Sequence, residues 1–223
     1  MIYVDKLRVR NAVILVTLSL LFTHCSPVKE IKTNVPNYKL VQIGRSKNPT
    51  VLFFQDSYCL QNDSITNWFV KNNYQVILAE RLNIDPLYIL NTDHPLMRAS
   101  DGIALINSLS NYPIEYIAAT GLEVHSTVEW FVNTDIKGGF LFPFYKGSLR
   151  DYLIECMYKN KKVLPGYPSI IEPIELVQLL ETTPPPSGIY GNYSLRFLQD
   201  IWQQQPKINL TSYEGELLYQ VVK

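Results

Sequence analysis

Between Tyr38 and Phe144 the chain alternates short apolar runs with segments in which apolar residues recur every three or four positions. Tyr38 to Ile43, Thr50 to Phe54, Gln75 to Ala79, Ile114 to Ala119 and Gly139 to Phe144 are runs of strand length. Between them, Ile65, Trp68 and Phe69 share one helical face, Ile103, Ile106 and Leu109 a second, and Val124, Val128 and Phe131 a third. Asp63 or Ser64 is placed to cap the first of these helices, and the second spans Leu96 to Ser110. The alternation predicts an α/β fold with a mostly parallel central sheet and helices on both faces, because parallel neighbours need crossover connections. Right-handed crossovers would then put a ligand site at the C-terminal ends of the strands.

After Ser148 the pattern becomes helical. Leu149, Leu153 and Cys156 share a face, as do Ile174, Val177 and Leu180, and then Leu195, Leu198 and Trp202. The three consecutive prolines between Thr182 and Ser187 fit a polyproline spacer or a cleft wall. Glu216 to Val222 has the composition of a last strand. Of the 15 tyrosines several fall late in the chain, and Gly188 to Tyr193 (GIYGNY) reads as an exposed aromatic loop.

The N-terminus has a different character. Lys6, Arg8 and Arg10 precede an apolar run from Ala12 to Phe22, which is short for a membrane span and of the length found in signal peptides. Cys25 closes the run. This arrangement resembles a bacterial lipoprotein signal, which implies lipidation of Cys25 and a membrane-anchored protein in the cell envelope, facing away from the cytoplasm. Ordinary signal cleavage, giving a secreted protein, and retention as a short signal anchor are the alternatives. Residues 1–25 are accordingly expected to be a signal or lipid-anchor segment, 26–37 a tether containing Pro27 and Pro36, and 38–223 a single domain.

Charge excludes one class of partner. Lys plus Arg and Asp plus Glu each number 20, without a long basic cluster, so electrostatic capture of nucleic acid has no support. Cys59 and Cys156 remain after Cys25, either as buried free thiols or as a disulfide that an oxidising compartment would permit. His24, His94 and His125 are widely separated and no C-x-x-C pair is present, so no metal and no cofactor is assigned.

The candidate chemistry lies at Gly121, Leu122, Glu123, Val124 and His125, which follow a strand and open a helix. This is the setting of G-x-S-x-G, the elbow that projects a nucleophile clear of the sheet. The stretch from Thr50 to Phe144 resembles the central half of the α/β-hydrolase fold, truncated and followed by a helical C-terminal part. In that resemblance Gly121 matches the first glycine, Glu123 the nucleophile and His125 the last glycine. The backbone amides of Gln55 and Val124 would be the oxyanion-like donors. The family's His-Gly after the first of these strands is replaced by Gln55 and Asp56, and no His follows residue 125 to serve as the general base.

Three functions are consistent with this sequence. The first is a pseudo-hydrolase that binds a small molecule or an envelope protein. The second is an esterase-like hydrolase using an unconventional set of Asp56, Glu123 and His125. The third is a scaffold subunit of an envelope complex that docks through the Leu195, Leu198 and Trp202 face. Against any catalytic role, Glu123 would simply sit near a helix N-terminus, His125 would face solvent and Asp56 would accept hydrogen bonds at a strand end.

Overall fold

The computed structural model describes residues 28–35, 37–57, 62–82, 95–127, 135–143, 147–159, 172–182, 187–190, 193–202, 212–214 and 217–222. Ten strands form among these residues: β1 (Val28–Ile31), β2 (Tyr38–Ile43), β3 (Thr50–Gln55), β4 (Gln75–Arg81), β5 (Ile114–Thr120), β6 (Gly138–Phe142), β7 (Ile189–Tyr190), β8 (Tyr193–Ser194), β9 (Ser212–Glu214) and β10 (Leu217–Val222). Among the described residues five helices accompany them: α1 (Asn62–Lys71), α2 (Pro95–Ser108), α3 (Leu149–Tyr158), α4 (Pro173–Glu181) and α5 (Leu195–Asp200).

Eight strands make one sheet in the order β1-β2-β4-β3-β5-β6-β10-β9. The centre, β4-β3-β5-β6, is parallel, and antiparallel strands flank it on both sides. This is the expected α/β architecture. The parallel strands are apolar on both faces, and their alternation sorts residues between two layers. Val51, Phe53, Val76 and Ala118 pack with Ile65 and Phe69 of α1. Leu52, Phe54, Ile77, Ala79, Ile117 and Ala119 pack with Ala99 and Leu105 of α2. Helices therefore cover both faces.

The strand order fixes where a site can lie. From β3 the chain crosses α1 to β4 on one side, then crosses α2 back past β3 to β5 on the other. Crossovers of one hand in opposite directions put α1 and α2 on opposite faces and make the C-terminal ends of β3 and β5 the switch point of the sheet. The C-terminal helices close over this point. Leu149, Leu153, Leu176, Leu180, Leu195, Phe197, Leu198 and Trp202 form one buried cluster that includes Leu122 of the β5 turn. Ser148 caps α3 reciprocally with Asp151, and the Arg150 amide donates to the Trp202 carbonyl at 3.2 Å, which ties α3 to the end of α5.

Several expectations change. Residues 28–31, within the expected tether, form β1 and pair antiparallel with β2. The GIYGNY segment is a small β7-β8 hairpin whose Tyr190 and Tyr193 are both buried rather than exposed. Leu195, Leu198 and Trp202 are buried inside the C-terminal cluster, so this face is not available for docking. The last strand expected from Glu216 to Val222 does form, as β10, which pairs antiparallel with β6 and with β9. Cys156 is a buried free thiol. Cys25, Cys59, Val128, Phe131 and the triple proline lie outside the described residues.

Candidate functional site

The switch point is framed by backbone geometry. β5 ends at Thr120 in extended backbone, Gly121 turns at φ 60, and a short 3-10 turn carries Leu122 and Glu123 into Val124. A φ of this sign is costly for any residue with a Cβ, which accounts for the glycine. The sharp residue is thus Gly121, two positions ahead of the one assigned from sequence, and it has no side chain to project. Glu123 lies beyond the apex.

Three elements are tied together at this turn by a closed set of hydrogen bonds. The Asp56 amide donates to Thr120 Oγ1 at 3.0 Å, the Thr120 hydroxyl donates to Asn62 Oδ1 at 2.9 Å, and Asn62 Nδ2 donates to the Asp56 carbonyl at 2.8 Å. The end of β3, the start of α1 and the end of β5 are thereby held in register. The Asp56 carboxylate reaches across the same point, where Oδ2 accepts from the Leu122 amide at 3.1 Å and from the Tyr193 hydroxyl at 3.0 Å. Asp56 is indeed a strand-end acceptor, but its donors come from β5 and from the C-terminal cap.

Glu123 is not solvent-facing. It is 5% exposed, and its Oε1 accepts from Arg98 Nη1 at 2.5 Å and lies 3.3 Å from the Tyr193 hydroxyl. That hydroxyl has a single proton to give, and the shorter contact assigns it to Asp56. Arg98 comes from the first half of α2 and is 2% exposed. Its guanidinium carbon stands 4.2 Å from the Tyr193 ring centroid and 4.8 Å from that of Phe197, so the cation is stacked as well as paired.

His125 follows on the same turn and is half-buried rather than solvent-facing. Burial pushes its pKa down to about 4, so its imidazole is neutral at pH 7 and a weak base. The two amides expected to bind an oxyanion are placed otherwise. The Val124 amide turns back on the Leu122 carbonyl, and Gln55 is paired in register with Glu80 while its side chain meets Thr66. The amides at the switch point are those of Asp56 and Leu122, and both already have acceptors.

The structure brings Asp56 and Glu123 together at the Tyr193 hydroxyl, with Arg98 on Glu123, and the sequence singles out neither Tyr193 nor Arg98. Arg98 had a signal. It falls on the stripe Arg98, Gly102, Leu105 and Leu109, which α2 buries, and a cation on a buried stripe must find a counter-charge. Tyr193 carries no signal of its own beyond the aromatic GIYGNY segment.

No family model matches this chain, and no curated relative does. Solved structures do superpose on parts of it. A CIB-like hydrolase from Thermoplasma acidophilum is 12% identical over 57% of this chain and 69% of its own, at a TM-score of 0.40. A proline iminopeptidase-related protein from Thermus thermophilus is 13% identical over 71% and 57%, at 0.43. A mutant epoxide hydrolase from Solanum tuberosum is 17% identical over 56% and 42%, at 0.39. The chain spans only part of each, and scores this low add nothing to what the strand order and the site geometry say.

Proposed function

We propose that the protein is a non-catalytic, hydrolase-like domain, carried outside the cytoplasm by a lipid on Cys25, that binds a ligand or an envelope partner. The observation that supports it is the state of Glu123, a carboxylate at the β5 turn that is buried and engaged by Arg98. A nucleophile or base must reach its substrate and hold a usable electron pair. Here Oε1 is held by a guanidinium, and Asp56, Arg98 and Tyr193 around it are each under 3% exposed. The amide after the sharp turn is filled by the chain's own Asp56. These groups join the sheet to its C-terminal cap.

The competing reading, an esterase-like hydrolase built on Asp56, Glu123 and His125, draws on the closeness of both carboxylates to the Tyr193 hydroxyl. A panel of p-nitrophenyl esters separates the two. The non-catalytic reading expects no turnover above buffer from the full chain. Turnover that disappears in Asp56→Asn or His125→Asn, with the circular dichroism spectrum retained, would establish the hydrolase instead. The anchor is tested by palmitate labelling of cells expressing the full chain, with label lost in Cys25→Ser. Unlabelled protein recovered from the medium would make it a secreted domain.

A further inference from the structure

Arg81, the last residue of β4, lies on the α2 face, three residues' worth of alternation from Ile77 through Ala79, and directly opposite Tyr38 in the β2-β4 register. It is 8% exposed. Its Nη2 donates to Asp101 Oδ2 at 3.0 Å, while Nε and Nη1, both buried, have no hydrogen-bond partner among the described residues. A buried guanidinium that uses one nitrogen and leaves two unserved is costly, because those donors have lost water without gaining an acceptor. Arg98 shows the contrast, since it has a buried carboxylate and two stacked rings.

The surroundings hold two ion pairs, Arg81 with Asp101 and Arg98 with Glu123. Asp101 stands one helical turn after Arg98, so α2 presents both residues to the sheet, one toward Glu123 and the other toward Arg81. The Tyr38 side chain is close enough to Arg81, Asp101, Arg98 and Glu123 to feel all four charges. Asp101 is the outer member of its pair, with a side chain 27% exposed against 8% for Arg81. Asp101 holds the cation through Oδ2 on Nη2, and the other two guanidinium nitrogens are left unused among the described residues.

We propose that Arg81 is the anchor of an oxyanion-binding site, in which a carboxylate or phosphate group enters from the Asp101 side, displaces that one-point contact and takes up the orphaned Arg81 donors. The planar fork of arginine suits two-point binding of such groups, which a single contact from Asp101 does not match. The site lies at the C-terminal end of a parallel strand, beside the switch point, where open α/β sheets place their ligands. It gives the binding role proposed above a chemical class of ligand and rests on that reading.

The test is a thermal-unfolding titration of the full chain with sodium phosphate and, separately, sodium acetate at pH 7.5, with sodium chloride holding ionic strength constant. A ligand that binds the folded state raises the midpoint with its concentration. The expected result is an anion-dependent rise in the native protein, onset at about tenfold lower concentration in Asp101→Asn, where the competing carboxylate is gone, and no anion dependence in Arg81→Lys. A response to phosphate but not acetate would assign the site to phosphate groups, and the converse to carboxylates. If the native protein and Asp101→Asn both track chloride alone, the site holds at most water and the proposal is overturned. Asp101→Asn carries the test even if Arg81→Lys fails to fold. Such a failure leaves the non-catalytic reading standing, and ester turnover would overturn that reading without bearing on whether Arg81 takes up anions.

Discussion

Arg98 and Glu123 meet at 2.5 Å in the interior, 25 residues apart in sequence, and their contact joins the α2 layer to the turn after β5. Removing either partner strands the other charge in a low-dielectric setting, at a cost of about 3–5 kcal/mol, whereas removing both in favour of apolar groups of similar size can be close to neutral. Urea unfolding of Arg98→Met, Glu123→Leu and the double variant should therefore show two strongly destabilised singles and a double that recovers most of the loss. Singles that each cost under about 1 kcal/mol would mean that the pair is solvated and does not organise the site.

Tyr193 is the link between the two carboxylates and the C-terminal cap. Replacing it with Phe keeps the ring under Arg98 but removes the hydroxyl, one of the donors that Asp56 Oδ2 shares with the Leu122 amide. The expected cost is about 1–3 kcal/mol, less than for Glu123→Leu. Amide exchange should also rise first in α5, which follows Tyr193 directly, with β3 protected as before. Uniform acceleration across β3 and α5 would show that the hydroxyl supports the whole fold rather than the docking of the cap.

The two-layer core was legible in the sequence because its signal is periodic. Leu52 and Phe54 face α2 while Val51 and Phe53 face α1, as strand alternation requires. Residues 28–31 were not legible as β1, because an edge strand with three of four residues exposed has little hydrophobic pattern to show. The site was half legible. Asp56 and Glu123 stand on either side of a readable strand order, but Tyr193 reaches them from 137 residues beyond Asp56, a closure that no local pattern carries. Reading Glu123 into the elbow position followed residue spacing, whereas the sharp turn follows φ, and only glycine marks that cheaply.

Gly121 supplies the next prediction. Its φ of 60 puts any Cβ in the left-handed region, which costs roughly 1–2 kcal/mol for an L-residue. Gly121→Ala should lose about that much stability, and Gly121→Val more, because β-branching tightens the restriction further. Equal stability of Gly121→Ala and the native chain would mean that the turn relaxes to another conformation and that the placement of the Leu122 amide on Asp56 is not imposed by Gly121.

His125 gives the chain a pH dependence of known sign. Burial lowers its pKa from 6.5 to about 4, so the unfolded chain binds a proton on this residue through a range in which the folded chain does not. Stability rises with pH wherever the unfolded state binds more protons. The contribution is therefore complete above about pH 6.5 and is lost progressively as the pH falls toward 4. Carboxylates also titrate at the lower end of this window, so the informative quantity is a difference. The slope of unfolding free energy against pH between 5 and 6.5 should be positive in the native protein and shallower in His125→Gln, measured by urea denaturation at each pH. Identical slopes in the two proteins would place the imidazole in water and remove it from the interior of the turn.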